Sequence, residues 1–419
     1  MLKNLSVNQK RITKNIISLF TLQGVNYILP LLTIPYLVRV LGLEYFGLLA
    51  FATAFIMYFM VLTDYGFNLS ATNQIAINKE NKQKVNEIFV SVLTIKLTLA
   101  IVGFFIMIGI VSLIPKYQND LNVFIFTYGM VIGQALIPLW LFQGLETMKY
   151  MTYFNILAKF IATGSIFIFV QEQSDYFLVP ILTSLGFITA GLLSLYWAFR
   201  EFNMKFYIPS QTQLVIQLKD GWHVFINNVF VNLYSTTNTV ILGLLTTNTV
   251  VGYYSLAQQI VGAISGLFAP ITQALYPYMS SVFKESKNKF RSIFTKTTLI
   301  FTSTSLIFIV LLYFFGDKVV QLISGEKNFA VVSILMIISI SILTSPLGTF
   351  FTQMFIIKNE TKLFLKVVQF TFITNMMLVL PMIYFFEALG LAYTVLISQF
   401  VHMFFNLKYY RITLQKETI

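Results

Sequence analysis

The sequence predicts an all-α integral membrane protein of about twelve transmembrane helices. Three observations predict it. Hydrophobic residues make up 57% of the 419 positions and charged residues only 11%, against about 25% charged in soluble domains. The apolar residues gather into twelve runs, each about 20 residues or longer, which at about 1.5 Å per residue cross a ~30 Å hydrocarbon core. The loops between them alternate between basic and nearly uncharged. Only helices and closed barrels satisfy their backbone polar groups in lipid. These runs are too long and too continuously apolar for barrel strands, which alternate over about ten residues.

The first run, 13–38, follows Lys10 and Arg11, has Lys14 at its very start and carries Pro30 and Pro35. A basic flank before an apolar run resembles a signal peptide. The run's length, its two prolines and the eleven runs behind it favour an uncleaved first helix. The second run, 45–66, ends with Asp64 near its inner end, and the third, 86–114, contains Lys96. Runs 121–143, 150–171 and 177–199 follow, carrying Pro138, Lys159 and Pro180 in turn. The connections 67–85 and 200–220 are the longest hydrophilic stretches. Then come 221–246, 251–281 with Pro270 and Pro277, 292–315 with Lys296, and 329–357 with Pro346. Runs 363–386, with Lys366 and Pro381, and 388–407 complete the set. Each proline removes a backbone hydrogen bond and tends to kink its helix. The Pro30/Pro35 pair marks the first helix as the bending element.

Net charge is +12, which invites a nucleic-acid reading until its placement is examined. Of the 28 Lys and Arg, Arg39, Lys116, Lys318 and Lys327 fall in loops of one side and four lie within spans. The other twenty sit on the opposite side. The positive-inside rule puts that basic side, with both termini, in the cytoplasm. The charge is topological, and nucleic acid is not a partner. With no cysteine in the chain, disulfides, thiol catalysis and cysteine metal sites are excluded. His223 and His402 stand far apart, so no metal site or cofactor is expected.

A shift of 205 residues lays one half on the other. Gly47 falls on Gly252, Ala52 on Ala257, and Lys79-Glu80, Lys82 and Lys84 on Lys284-Glu285, Lys287 and Lys289. The predicted division is a six-helix half over 1–200, a cytoplasmic connection over 201–220 and a second six-helix half over 221–419. Two pseudo-symmetric bundles in one orientation are transporter architecture, with a central cavity at the midplane and rocking of the halves about it.

Two polar stripes occupy corresponding helices. Gln23, Asn26, Pro30 and Thr33 share one face of the first span, and Asn228, Asn232, Ser235 and Thr239 one face of the seventh. Polar side chains in lipid face protein or a wet cavity. Simple interhelical hydrogen bonds, about 0.6 kcal/mol each, are the competing reading. Lys96, about 16 Å into its span, and Lys159 are too deep to reach the interface easily, and a lysine there costs about 2.5–3.5 kcal/mol. Facing a cavity, they would attract an anionic group. Arg39 guards the cavity mouth or meets headgroups. Asp64 has no obvious local cation and serves either ion coupling or a helix-end pairing. Tyr27, Trp140 and Tyr234 are candidates for stacking on sugar rings.

The first 80 residues resemble the polysaccharide-flippase (Wzx-type) branch of the multidrug/oligosaccharidyl-lipid/polysaccharide exporter superfamily. The resemblance rests on Thr33-Ile-Pro-Tyr-Leu-Val-Arg39, on Leu41-Gly42 with Glu44 and Gly47, and on Asp64-Tyr-Gly-Phe67. It continues through Ser70-Ala-Thr72 and Ile75-Ala76, and later through Gln143-Gly144 with Glu146 and Lys149. Asn73 stands where that family often has a basic residue. The resemblance implies movement of undecaprenyl-diphosphate-linked oligosaccharide repeat units across the cytoplasmic (inner) membrane for O-antigen, lipopolysaccharide or capsule assembly. It also implies a polysaccharide polymerase and a chain-length regulator as partners beside the lipid-linked substrate and membrane lipid. In that setting Lys96, Lys159 and Arg39 would meet the diphosphate and the amides the glycan. No Gly-x-x-x-x-Gly-Lys-Ser/Thr loop is present, so energy would come from an ion gradient or from use of the product.

Three other readings compete. A multidrug antiporter of the same superfamily would favour an acidic cavity for cationic substrates. A membrane-embedded polymerase or glycosyltransferase would need a catalytic loop, and the outside loops are short and sparse. A flippase for lipid-linked peptidoglycan precursors usually carries additional helices.

Overall fold

A computed structural model describes the backbone of residues 7–418. It describes their side chains except at 7–28, 30, 227, 230–235 and 416–418. Within those residues the chain is nearly all helix and contains no strand. In chain order the helices are α1 (Val7–Asp64), α2 (Phe67–Ile77), α3 (Lys82–Ser112), α4 (Leu121–Leu136), α5 (Leu139–Gly144), α6 (Met148–Phe169) and α7 (Leu178–Glu201). They continue as α8 (Gln211–Leu245), α9 (Asn248–Gly266), α10 (Ala269–Glu285), α11 (Lys287–Ser324), α12 (Phe329–Ser339), α13 (Ser341–Ile357) and α14 (Thr361–Thr418). Nine helical runs among the described residues are long and apolar enough to cross a bilayer. Many large apolar side chains on them, such as Ile101, Phe105, Phe160, Phe314 and Phe385, are exposed, as suits a lipid-facing surface.

The breaks follow local chemistry. α1 leaves helical geometry at Gly42 and α14 at Glu387, in the gaps predicted between spans 13–38 and 45–66 and between 363–386 and 388–407. Pro30 and Pro35 lie within the helical stretch of α1. Three runs read as continuous are divided. Run 121–143 splits at Ile137-Pro138, where Ile137 is extended because the proline ring disfavours a helical residue before it. Run 251–281 splits ahead of Pro270, which occupies the first turn of α10, where a missing N–H is harmless. Run 329–357 splits at Ile340, flanked by Ser339 and Ser341, whose hydroxyls donate back to Met336 O and Ile338 O.

These breaks recur along the chain. α3 opens at Lys82 and α11 at Lys287, a separation of 205. The arm of α1 after Gly42, followed by α2, has its counterpart in α9 followed by α10. The broken pair α4–α5 corresponds to α12–α13, α6 and α7 to the two arms of α14, and the first arm of α1 to α8.

Packing groups the helices differently from the sequence division at 200–221. Two compact units form: the described part of Met1–Arg39 together with Ile241–Ile419, and Val40–Val240. The leading helix of each repeat is therefore grouped with the helices of the other. Within Val40–Val240, Phe67, Ala71 and Ile75 of α2 enter a core with Ile88, Phe89 and Val92 of α3 and Trp140 of α5. α4 and α7 approach closely because Gly133 faces the backbone of Phe187 and Ile188, where a Cβ would sit 2.4 Å from Phe187 C. Small residues at such crossings let transmembrane helices gain dispersion contacts.

Candidate functional site

Asp64 is the last helical residue before a left-handed turn, with Tyr65 at φ 47° and Gly66 at φ 78°. The turn starts α2 and brings Asn68 back over the carboxylate, so that Asn68 Nδ2 donates to both Asp64 oxygens at 2.9 Å. The cation that sequence reasoning could not find is Lys96. Its Nζ donates to Asp64 Oδ1 at 3.3 Å, with 1% of the lysine side chain and 20% of the aspartate side chain exposed.

A second contact explains why the ammonium rests where it does. Pro138 lacks the N–H that would bond Gln134 O four residues back. Lys96 Nζ donates to that carbonyl at 3.4 Å, sharing it with Ile137 N at 3.3 Å. The ring of Trp140, fully buried, lies 4.8 Å from the ammonium and adds a cation–π attraction. The charge thus meets a carboxylate, a carbonyl freed by proline and an aromatic face. Trp140, a sequence candidate for sugar stacking, is committed to this cluster. Asn68 and Gln134 carried no sequence signal beyond polarity; the Asp-Tyr-Gly-Phe turn and Pro138 were the available clues.

The same turn locks onto α8. A Cβ on Gly66 would lie 2.6 Å from Val224 Cγ1 and 3.0 Å from Phe225 N. One on Gly221 would lie 3.1 Å from Tyr65 O. The Tyr65 and Phe225 rings stack at 4.6 Å. Gln74 of α2 donates to Asp220 at 2.9 Å and accepts from Gln217 at 2.9 Å. Farther along, Tyr58 OH donates to Thr237 at 2.8 Å. Asn228 is half-buried on this helix.

Arg39 belongs to the other unit. Its Nε donates to Ile323 O at 3.3 Å and a terminal nitrogen to Leu322 O. These are last-turn carbonyls of α11, the end of a helix where a cation is favoured. Lys159 is exposed on α6. Gln23, Asn26 and Asn232, with Tyr27 and Tyr234, lie outside the described side chains, as does the ring of Pro30. Among the described residues no group of three or more His, Asp and Glu is placed to hold a metal ion.

Residues 12–283 match the family described as polysaccharide biosynthesis protein. The chain belongs to that family. The match takes in Arg39, Asp64, Lys96, Lys159 and Asn228. The chain is 32% identical over 396 residues to the "Putative O-antigen transporter" of Escherichia coli strain K12, covering 94% of this chain and 95% of that one. It is 26% identical over 397 residues to the Shigella dysenteriae protein of the same description, covering 94% and 99%. Among solved structures its fold is similar to the lipid II flippase MurJ in an inward closed conformation. That likeness has a TM-score of 0.78 at 13% identity and covers 94% and 87% of the two chains. A multidrug resistance MATE family transporter of the MOP superfamily, inward-facing, gives a TM-score of 0.69 at 16% identity, covering 100% and 97%. The fold is that of this group of membrane transporters.

Proposed function

We propose that the protein is a flippase, not an enzyme. It carries undecaprenyl-diphosphate-linked oligosaccharide repeat units from the inner to the outer leaflet of the cytoplasmic membrane for O-antigen or capsule assembly. The observation that carries the reading is the 32% identity, over nearly the whole length of both chains, to a protein described as an O-antigen transporter. A lipid diphosphate needs cations and a glycan needs amides and hydroxyls; Arg39, Lys159, Gln23, Asn26, Asn228 and Asn232 are the residues proposed to supply them. Lys96 acts through Asp64, the candidate for ion coupling. Transport proceeds by alternating access, with Pro30 and Pro35 as the hinge of the first helix. Partners are the lipid-linked substrate and, downstream, a polymerase with its chain-length regulator.

Deletion of the gene is expected to remove surface glycan while lipid-linked repeat units accumulate, and the wild-type chain to restore both. Unchanged glycan with altered sensitivity to cationic drugs would replace this reading with the multidrug antiporter.

The orientation follows from the charge bias. Reporter fusions at positions 116, 248 and 327 are expected to report outside and one at 205 inside. An outside signal at 205 would overturn the topology.

A further inference from the structure

Beside Arg39, wholly within the unit formed by Met1–Arg39 and Ile241–Ile419, lies a groove of about 530 Å³. Its walls are mainly apolar, with Leu31 and Ile34 on one side and Ile260 on the other, and its polar lining includes Arg39 and Gln259. Leu31 at the rim is 43% exposed. The volume falls in the ~300–1,000 Å³ range of small-ligand sites, adequate for one end of a lipid.

The chemistry at the polar end is specific. Arg39 spends its Nε–H and one terminal N–H on the α11 carbonyls, leaving three of a guanidinium's five N–H groups. None of the ion pairs among the described residues includes it. The carbonyl contacts fix the plane of the fork without cancelling its charge. A planar cation so held, at the end of an apolar trough, complements a ligand with a phosphate head and a hydrocarbon tail.

We propose that this groove binds the diphosphate and the first isoprene carbons of a lipid-linked diphosphate. Arg39 holds the phosphate, and Leu31, Ile34 and Ile260 cover the tail. The assignment rests on the flippase reading and adds to it a station for the lipid, apart from any site for the glycan. In the proposed topology Arg39 is at the outer end of the first span, so the station serves the lipid on arrival in the outer leaflet.

The native chain has no cysteine, so a full-length I34C variant in phosphatidylcholine nanodiscs reports the groove through its maleimide labelling rate. Geranylgeranyl diphosphate is expected to protect it at a concentration about tenfold lower than geranylgeraniol, inorganic pyrophosphate or phosphatidylglycerol, since only the first joins a diphosphate, with its higher charge, to a single isoprenoid chain. R39Q in that background is expected to abolish this advantage and R39K to retain part of it. Because Arg39 also caps α11, I260W provides a second arm: it fills the trough with Arg39 intact and is expected to remove protection. Equal protection by geranylgeraniol or by phosphatidylglycerol overturns the proposal, as does protection unaffected by both R39Q and I260W. Export that persists without groove protection overturns the station alone. Groove protection in a chain that moves no lipid-linked glycan overturns the transport reading alone.

Discussion

Lys96→Ala in the full-length protein is expected to lower stability by about 3–5 kcal/mol, the cost of removing one partner from a buried ion pair. Asp64 would keep Asn68 but lose its cation, and Gln134 O would lose the donor that replaces the missing Pro138 N–H. Asp64→Ala is expected to be comparably damaging, because it leaves an ammonium enclosed with only a carbonyl and an indole ring. The double variant D64N/K96M removes both charges at similar volume and is expected to recover most of the loss, as neutral replacements of buried pairs do. Thermal unfolding in detergent of the wild type, D64N, K96M and D64N/K96M, run as a double-mutant cycle, measures the coupling. Export of surface glycan is the second readout. A double variant that folds but does not export would show that the pair's charge serves transport as well as structure. Unchanged unfolding temperatures in both single variants would remove the pair from any account of this unit.

The sequence made the cost of Lys96 legible and left its partner hidden. Depth in an apolar run depends on hydropathy alone. The pairing depends on two backbone events that hydropathy does not register. One is the left-handed turn at Tyr65-Gly66, which folds Asn68 back over Asp64. The other is the break at Ile137-Pro138, which frees a carbonyl toward Lys96. Prolines showed where such breaks were possible without showing which occur. Pro138 and Pro270 stand at breaks, whereas Pro277, Pro346 and Pro381 lie inside helices.

Arg39 makes the same point over a longer range. Its sequence neighbourhood suggested a headgroup or a cavity mouth, and its partners are carbonyls 283 and 284 residues away. Spacing could not anticipate that. The grouping of the first arm of α1 with the second half, and of α8 with the first, was equally invisible, because a repeat in sequence fixes correspondence and leaves contact open. The breaks come at similar places in both halves although the residues that make them differ: Ile137-Pro138 in one and Ser339-Ile340-Ser341 in the other.

Gly66→Ala is expected to be among the most damaging single-atom additions in the Val40–Val240 unit, by two separable effects. Gly66 holds φ 78° and ψ 8°, left-handed geometry that costs a residue with a Cβ about 1–2 kcal/mol. The new methyl would also lie 2.6 Å from Val224 Cγ1 and 2.7 Å from Val224 Cβ, an overpacking of about 1–3 kcal/mol. Val224→Ala in the same chain removes Cγ1 but leaves Cβ at 2.7 Å and Phe225 N at 3.0 Å, so G66A/V224A is expected to recover only part of the second share and none of the dihedral strain. Gly221→Ala meets Tyr65 atoms at 3.0–3.1 Å from an ordinary helical backbone and is expected to cost less than G66A. Unfolding temperatures of the four proteins test that order. Because Asp64 precedes this turn by two residues, G66A is also expected to weaken the coupling measured between Asp64 and Lys96. A neutral G66A, or a coupling energy unmoved by it, would mean that the turn neither locks α2 against α8 nor positions the carboxylate.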